Sequence, residues 1–385
     1  MYFRRSNRTP RLILAALLLM GIGIYLAVPS YLMNAVLHGK PDLNDYQIFP
    51  NRTVTAGKTM PWKVSPKVNS VTLPDSLMIN MEKMQTVAFL VIQNQEIIYE
   101  KYWEGYSENS LSNSFSAAKS IVSLLVGIAL DEGFIDSLNQ SVGDFLPEYA
   151  VGDKKNIRIR DLLTMSSGLS WDEAYTSPGS ITTQAYYGDD LPSLVTNLEV
   201  VAPPGKRFNY LSGDTQLLAL VLKRATGKNL SDYASEKLWK KMGAVHDAFW
   251  SLDHEGGMEK AFCCFNTNAR DFARFGQLVL NNGSWNGQQI VSENYIQEAT
   301  SPASYLLDDH DQPVDFYGFQ WWIIHYKEQA IPYMRGILGQ YIFALPEQNA
   351  VIVRLGHKRS KQYVGEHTLG TFVYLKAGDY ILQHQ

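Results

Sequence analysis

Cysteine is almost missing from this chain: 385 residues carry two, Cys263 and Cys264, and these are adjacent. Two cysteines build neither a disulfide framework nor a metal cage, and sequence neighbours close a disulfide only with strained geometry. The pair therefore reads as two buried small hydrophobes rather than a redox couple, and the redox compartment stays open. A basic surplus is missing too. Lys+Arg total 34 against 38 Asp+Glu, a net charge of -4, and the positive residues beyond residue 11 are scattered, which argues against nucleic acid as a partner. There is no internal repeat and no low-complexity tract. No G-x-S-x-G elbow, H-E-x-x-H pair or phosphate-binding G-x-x-x-x-G-K-[ST] loop occurs. His254-Glu255 lacks a second histidine and reads as a loop pair, so no metal or organic cofactor is implied.

What is present is apolar. At 45% hydrophobic and 12% aromatic residues, the chain can bury one large core or two modest ones. Arg4, Arg5, Arg8 and Arg11 precede an uncharged run from Leu12 to Met33, close to the ~20 residues that cross a bilayer as a helix. The expectation is a basic tail over 1–11 on the cytoplasmic side and a single-pass anchor over 12–33. The rest of the chain would then face the periplasm or outside of the inner membrane. A cleaved signal peptide competes with this reading, although the run is longer than a usual apolar signal core and its end fits the small-x-small cleavage pattern poorly.

Prolines at 41, 50, 61, 66 and 74 make residues 34–69 a connector that leads into a short helix around 75–83. The body, 70–385, opens with two β-rich runs, Thr86 to Gln93 and Glu96 to Trp103, joined at Asn94-Gln95 as a hairpin. Three further strand-like runs lie near the other end: Gly318 to His325, Gly339 to Leu345 and Ala350 to Leu355. Between them, about 135–300 is mostly helical. Ala117 to Glu132, just before it, is apolar almost all round and stops at Gly133, as a helix buried on every side should. The expected class is α+β, a five-stranded antiparallel sheet closed by chain-distant segments, with a helical region inserted.

The residues that carry chemistry start at Ser116-Ala117-Ala118-Lys119. Positions i and i+3 share a helix face, so Lys119 can reach the Ser116 hydroxyl at the first turn of the buried helix. Burial disfavours the ammonium and frees a neutral amine to take the serine proton. Tyr210, in the turn-rich loop Pro203 to Asp214, is placed to relay that proton if a nearby lysine eases its own loss. Either motif alone has a bland reading: a capped helix start with a solvated lysine, or a packed tyrosine. Trp171, Trp321 and Trp322 are equally open to core or acyl-pocket roles.

Together these segments resemble the penicillin-recognising serine hydrolases, the family of class C β-lactamases, DD-peptidases, family VIII esterases and 6-aminohexanoate-dimer hydrolases. Phe115-Ser116-Ala117-Ala118-Lys119-Ser120 looks like its nucleophile motif, Ile159 to Leu169 is similar to its R-x-L-L-x-x-x-S-G-L signature, and Phe208 to Asp214 looks like its Tyr-x-Asn loop. Tyr317 to Trp322 and Arg335 to Ile342 look most like the 6-aminohexanoate-dimer hydrolase and family VIII branch. The resemblance implies a β-lactamase/transpeptidase-like fold, with Ser116, Lys119 and Tyr210 catalytic and an oxyanion hole at the Ser116 and Ile337 N–H groups. Trp171, Ser212, Trp322, Arg335 and Gly336 would support or bind substrate.

Two departures matter. Ser212 stands third in the Tyr-x-Asn motif, with shorter reach and no amide. Arg335-Gly336-Ile337 stands where K-[ST]-G would hold a β-lactam carboxylate. The expected activity is therefore cleavage of a small ester or amide through an acyl-enzyme. The alternatives are a β-lactamase or DD-peptidase, and a membrane-bound binding protein that keeps the fold without turnover. Oligomeric state is not readable.

Overall fold

A computed structural model describes Ile13, residues 28–175 and residues 177–385. Helix α1 (Ser30–His38) is followed by β1 (Asn51–Val54), β2 (Lys63–Val64), α2 (Asp75–Lys83) and the hairpin β3 (Thr86–Gln93) to β4 (Glu96–Tyr102). After β5 (Ser112–Asn113) come α3 (Ala118–Asp131), α4 (Ile159–Leu163), α5 (Ile181–Tyr187), α6 (Leu191–Thr196), α7 (Ser212–Thr226) and α8 (Leu230–Ala234). Strands β6 (Ala248–Ser251) and β7 (Phe265–Thr267) precede α9 (Ala269–Leu280), the short hairpin β8 (Ser284–Trp285) to β9 (Gln288–Gln289), and α10 (Glu293–Ala299). The chain closes with β10 (Trp322–Tyr326), β11 (Gln329–Gly336), β12 (Gln340–Leu345), β13 (Ala350–Gly356), β14 (Tyr363–Val364), β15 (His367–Thr368) and α11 (Leu369–Gln383).

The main sheet has seven strands in the order β10-β11-β12-β13-β3-β4-β2, antiparallel except for β2 beside β4. Its middle joins β13 to β3, so the two ends of the chain are zipped together, Val353 opposite Leu90 and Arg354 opposite Phe89. Strands β3, β12 and β13 are buried on both faces, with alternate residues feeding two cores. Leu90, Ile92, Ile342 and Val353 join the core that contains α3, α7 and α9; Phe89, Val91, Phe343 and Ile352 join the other, with α2 and α11.

The expected sheet had five strands. Strand β11 is the addition that matters most: Pro332 interrupts its pattern, and its hairpin to β10 turns at Lys327-Glu328, both at positive φ, without the Asn or Gly that marks such a turn. Residues 51–54 and 63–64 also pair in sheets rather than passing as plain connector.

The transmembrane helix is corrected. Among the described residues no helix is long and apolar enough to cross a membrane. The last residues of the apolar run, Ser30 to Met33, begin α1, which packs on α5; Asn34 donates to the Tyr187 carbonyl and the Tyr187 hydroxyl to that of Gly39. Apart from Ile13 and residues 28–33, the rest of the run lies outside the described residues. A run of apolar residues counts hydrophobicity but not what covers it, and here part of it is covered by protein.

The cysteine reading is corrected as well. Cys263 and Cys264 are buried, at 4% and 0% exposure, but joined as a disulfide. The Cys263 carbonyl accepts from Trp250 Nε1, and the Cys264 carbonyl from the Ser251 N–H and Asn266, so the surrounding β6–β7 turn holds the pair.

Lys260, three residues earlier, is fully buried and among the described residues reaches only the carbonyls of Ala185 and Gly188, each at 3.4 Å, with its amine 4.8 Å from the Phe49 ring centroid. Burial pulls its pKa down from 10.5 to about 7, against the opposing pull of Asp253 and Asp189. Between these values the unfolded chain binds more protons than the folded one, so this group makes stability rise with pH through that window. Lys260→Met is expected to stabilise the fold by about 1–3 kcal/mol at pH 6, with the gain shrinking towards pH 9. Thermal melts of both proteins across that range measure it.

Candidate active site

The turn that carries Ser116, the candidate nucleophile, is built by short-range bonds. The Asn113 side chain accepts the Phe115 N–H, the Ser114 carbonyl accepts the Ala117 N–H, and Phe265 on β7 accepts the Ser114 N–H. This places Ser116 in a tight turn (Phe115–Ala117) that runs straight into α3. Phe115 takes φ 45°, a strained value that the surrounding bonds over-determine.

Lys119, one turn later and 1% exposed, directs its amine at three oxygens: Ser116 Oγ at 3.2 Å, Ser212 Oγ at 3.0 Å and the Phe262 carbonyl at 2.9 Å. Burial draws its pKa from 10.5 to about 8, while Glu173 pulls the other way. A neutral fraction thus exists near neutral pH, as the i, i+3 spacing in a buried helix leads one to expect.

Tyr210 meets the same group from the opposite side, its ring centroid 5.0 Å from the lysine nitrogen. The expectation that a nearby lysine would ease loss of its proton is reversed. Burial and the Glu173 charge push the phenol above its ordinary range, only partly offset by its bond to Ser116 and by Arg335 and Arg359. The phenol stays protonated, so it suits a donor or relay rather than a phenolate base.

Gly336 ends β11 against the turn that carries Ser116. A Cβ there would lie 2.2 Å from the Ser114 carbonyl oxygen, so only glycine allows this approach. Ile337 follows, and among the described residues neither its N–H nor that of Ser116 has a backbone acceptor, the condition for two donors open to an oxyanion. Arg354 on β13 steadies this turn by donating to the Leu338 and Gly339 carbonyls. Gly336→Ala is expected to lower kcat by about 10²-fold through displacement of these donors. Ester turnover beside the thermal midpoint measures it, because loss of folding would lower both.

Arg335 does not take the place of a lysine reaching into the site. Its guanidinium lies over Trp322, 3.1 Å from the ring centroid, and donates to the Glu366 carbonyl. Trp322 in turn sits 5.5 Å from the Tyr210 ring, so both residues line the phenol's side of the site. Trp171 is core: it packs on Gly213 at the start of α7 and edge-on to Phe262. Trp321 is fully buried in the core that contains α3, whereas Tyr210 packs against the other core.

Two residues escaped the sequence reading. The Phe262 carbonyl carries no side-chain signal. Glu173 lies in an irregular loop, and its carboxylate accepts the Ser212 N–H at 2.8 Å and the Ser212 hydroxyl at 2.5 Å, with Tyr175 donating as well. The one sequence signal for an acidic partner is the unguarded start of α7, whose preceding residue Leu211 has no capping side chain.

A serine at a helix start, a buried lysine within reach of it and a protonated tyrosine opposite define the class as a serine hydrolase. The family described as Beta-lactamase matches residues 75–371, and the chain belongs to that family. Among relatives, the 6-aminohexanoate-dimer hydrolase of Paenarthrobacter ureafaciens is 29% identical over 299 residues, covering 74% of this chain and 75% of its own. A Bacillus anthracis structure provisionally ascribed to the 6-aminohexanoate-dimer hydrolases superposes with a TM-score of 0.72 at 23% identity, over 89% of this chain and 92% of that one. A family VIII carboxylesterase gives 0.63 at 18% identity, over 83% and 98%. The β-lactamase/transpeptidase-like arrangement expected from the motifs therefore stands, with no membrane-spanning helix among the described residues.

Proposed function

We propose that the chain cleaves a small or linear ester or amide through an acyl-enzyme on Ser116. Neutral Lys119 takes the hydroxyl proton as Oγ bonds to the carbonyl carbon, and the carbonyl electron pair moves onto oxygen, where the Ser116 and Ile337 N–H groups receive it. Collapse re-forms the carbonyl and expels the alcohol or amine, which takes the proton from Tyr210 while Lys119 returns one to the phenol. Water then attacks the acyl ester, its proton passing to Lys119 and on to the departing Ser116 oxygen.

The observation that carries this reading is the 3.2 Å contact between Ser116 and a fully buried lysine. The preference for esters or amides over β-lactams rests on Arg335, which is spent on Trp322 and Glu366 instead of standing free to hold a ring carboxylate. The relatives named above include an amide hydrolase and a carboxylesterase, which agrees with it.

The test compares p-nitrophenyl acyl esters and linear amides with nitrocefin. Ester or amide turnover should exceed nitrocefin hydrolysis by at least about 10-fold in kcat/KM, a margin of the size that one lost charged contact gives. Equal rates would transfer the assignment to β-lactam hydrolysis. A fluorophosphonate probe that never labels Ser116 would favour a protein that binds without turnover.

A further inference from the structure

We propose that Glu173 is a positioning residue: by holding the Ser212 proton, it aims the lone pair of neutral Lys119 at Ser116. This rests on the Ser116–Lys119 reading and deepens it.

The inference follows from counting protons. An ammonium has three N–H groups, and Lys119 has three oxygens around it: Ser116, Ser212 and the Phe262 carbonyl. A neutral amine keeps two N–H groups and one lone pair. The lone pair must face a partner able to donate. The Phe262 carbonyl cannot. Ser212 could, and would then compete with the nucleophile for the base. Its hydroxyl, however, donates to Glu173 Oε1 at 2.5 Å, and its backbone N–H donates to Oε2 at 2.8 Å. With both carboxylate oxygens occupied, Ser212 faces Lys119 as an acceptor only. The two remaining amine protons go to Phe262 and Ser212, and the lone pair is left to Ser116, whose proton is free. The family motif places an asparagine where Ser212 stands; a serine there needs a neighbour to settle its orientation, and Glu173 provides it.

Glu173 also acts through space. The groups facing Lys119 are Ser116 on its own turn, Tyr210 and Ser212 at the start of α7, Phe262 from the β6–β7 loop and Glu173 from the loop after α4. Among the described residues Glu173 is the acidic group of this set, and its Coulombic pull favours the ammonium. Its removal therefore has two separable effects: a lower pKa for the base and a misdirected lone pair.

The test is a double-mutant cycle on ester hydrolysis with pH profiles. In Glu173→Gln one oxygen is replaced by a donor, so the amide cannot accept both Ser212 groups. The pH-independent kcat/KM should fall by about 10- to 100-fold. At the same time the acid limb should move to lower pH, a shift that a merely loosened loop would not produce. Ser212→Ala removes the hydroxyl through which Glu173 acts, so the double variant should be no slower at the plateau than Ser212→Ala alone, while keeping the acid-limb shift. Plateau losses that multiply, or an acid limb that stays in place, would overturn the proposal. Turnover that survives in Ser116→Ala would instead remove the serine–lysine reading beneath it, so the two failures are told apart.

Discussion

Ser116→Ala is expected to lower kcat for ester hydrolysis by about 10⁴- to 10⁶-fold while leaving the thermal midpoint close to that of the parent protein. The reason is chemical: no other hydroxyl takes its place. Ser212 is the next serine on Lys119, but its proton is already donated to Glu173, and Ser120, further along α3, donates to the Gln320 carbonyl on the far side. The oxyanion donors and the substrate contacts remain, which accounts for a residual rate above that of water. The loss of one exposed-side hydroxyl costs the fold little, because the turn is held by Asn113, Ser114 and Phe265 rather than by Ser116. Intact-mass measurement after a slow ester substrate should show an acyl adduct on the parent and none on the variant. An adduct on Ser116→Ala would end this assignment.

Lys119→Met carries the second large effect, an expected loss of about 10²- to 10⁴-fold in kcat/KM, the range of a general base. Methionine matches the aliphatic stem and abolishes the base, so the fold should be retained or improved: a buried amine is replaced by an apolar group, and the Phe262 carbonyl loses one donor. Lys119→Arg should not rescue activity, since a guanidinium holds its proton throughout the working range. In the proposed mechanism the reactive form is the neutral amine. kcat/KM for an uncharged ester should therefore rise with pH through a midpoint near about 8, the value to which burial lowers this lysine. Linkage runs in the same direction for stability. The folded state holds Lys119 below its unfolded value of 10.5, so between about 8 and 10.5 the unfolded chain binds more protons and the fold gains stability as pH rises. A pH profile flat from 6 to 9, with acylation still rate-limiting, would remove Lys119 from the base role.

Much of this molecule was legible in one dimension. The motif Ser116 to Lys119 is a statement about helix geometry, and any helix that begins there brings those two side chains together. The strands Thr86–Gln93 and Gln340–Leu345 were visible because continuous β-branched and aromatic runs fit a sheet buried on both faces. Strand β11 was not, because Pro332 and a Lys-Glu turn obscure its local signal; it is a strand because β10 and β12 pair with it from either side. The apolar run at the start misled for the opposite reason: its pattern was strong but says nothing of its neighbours, and Ser30 to Met33 begin a helix that packs on α5.

The sequence by itself determined the family and singled out the proposed nucleophile and base, since each depends on residue type at short spacing. Tertiary structure alone decided what surrounds them. The Phe262 carbonyl meets Lys119, and Glu173 meets Ser212 beside it, from separate stretches of chain, and neither has a local pattern that announces the meeting. The protonation of Tyr210 and the direction of Arg335 were settled in the same way. Charge and hydrogen bonding act over a few ångströms of space, whatever the number of residues between the partners, so these properties belong to the packed fold.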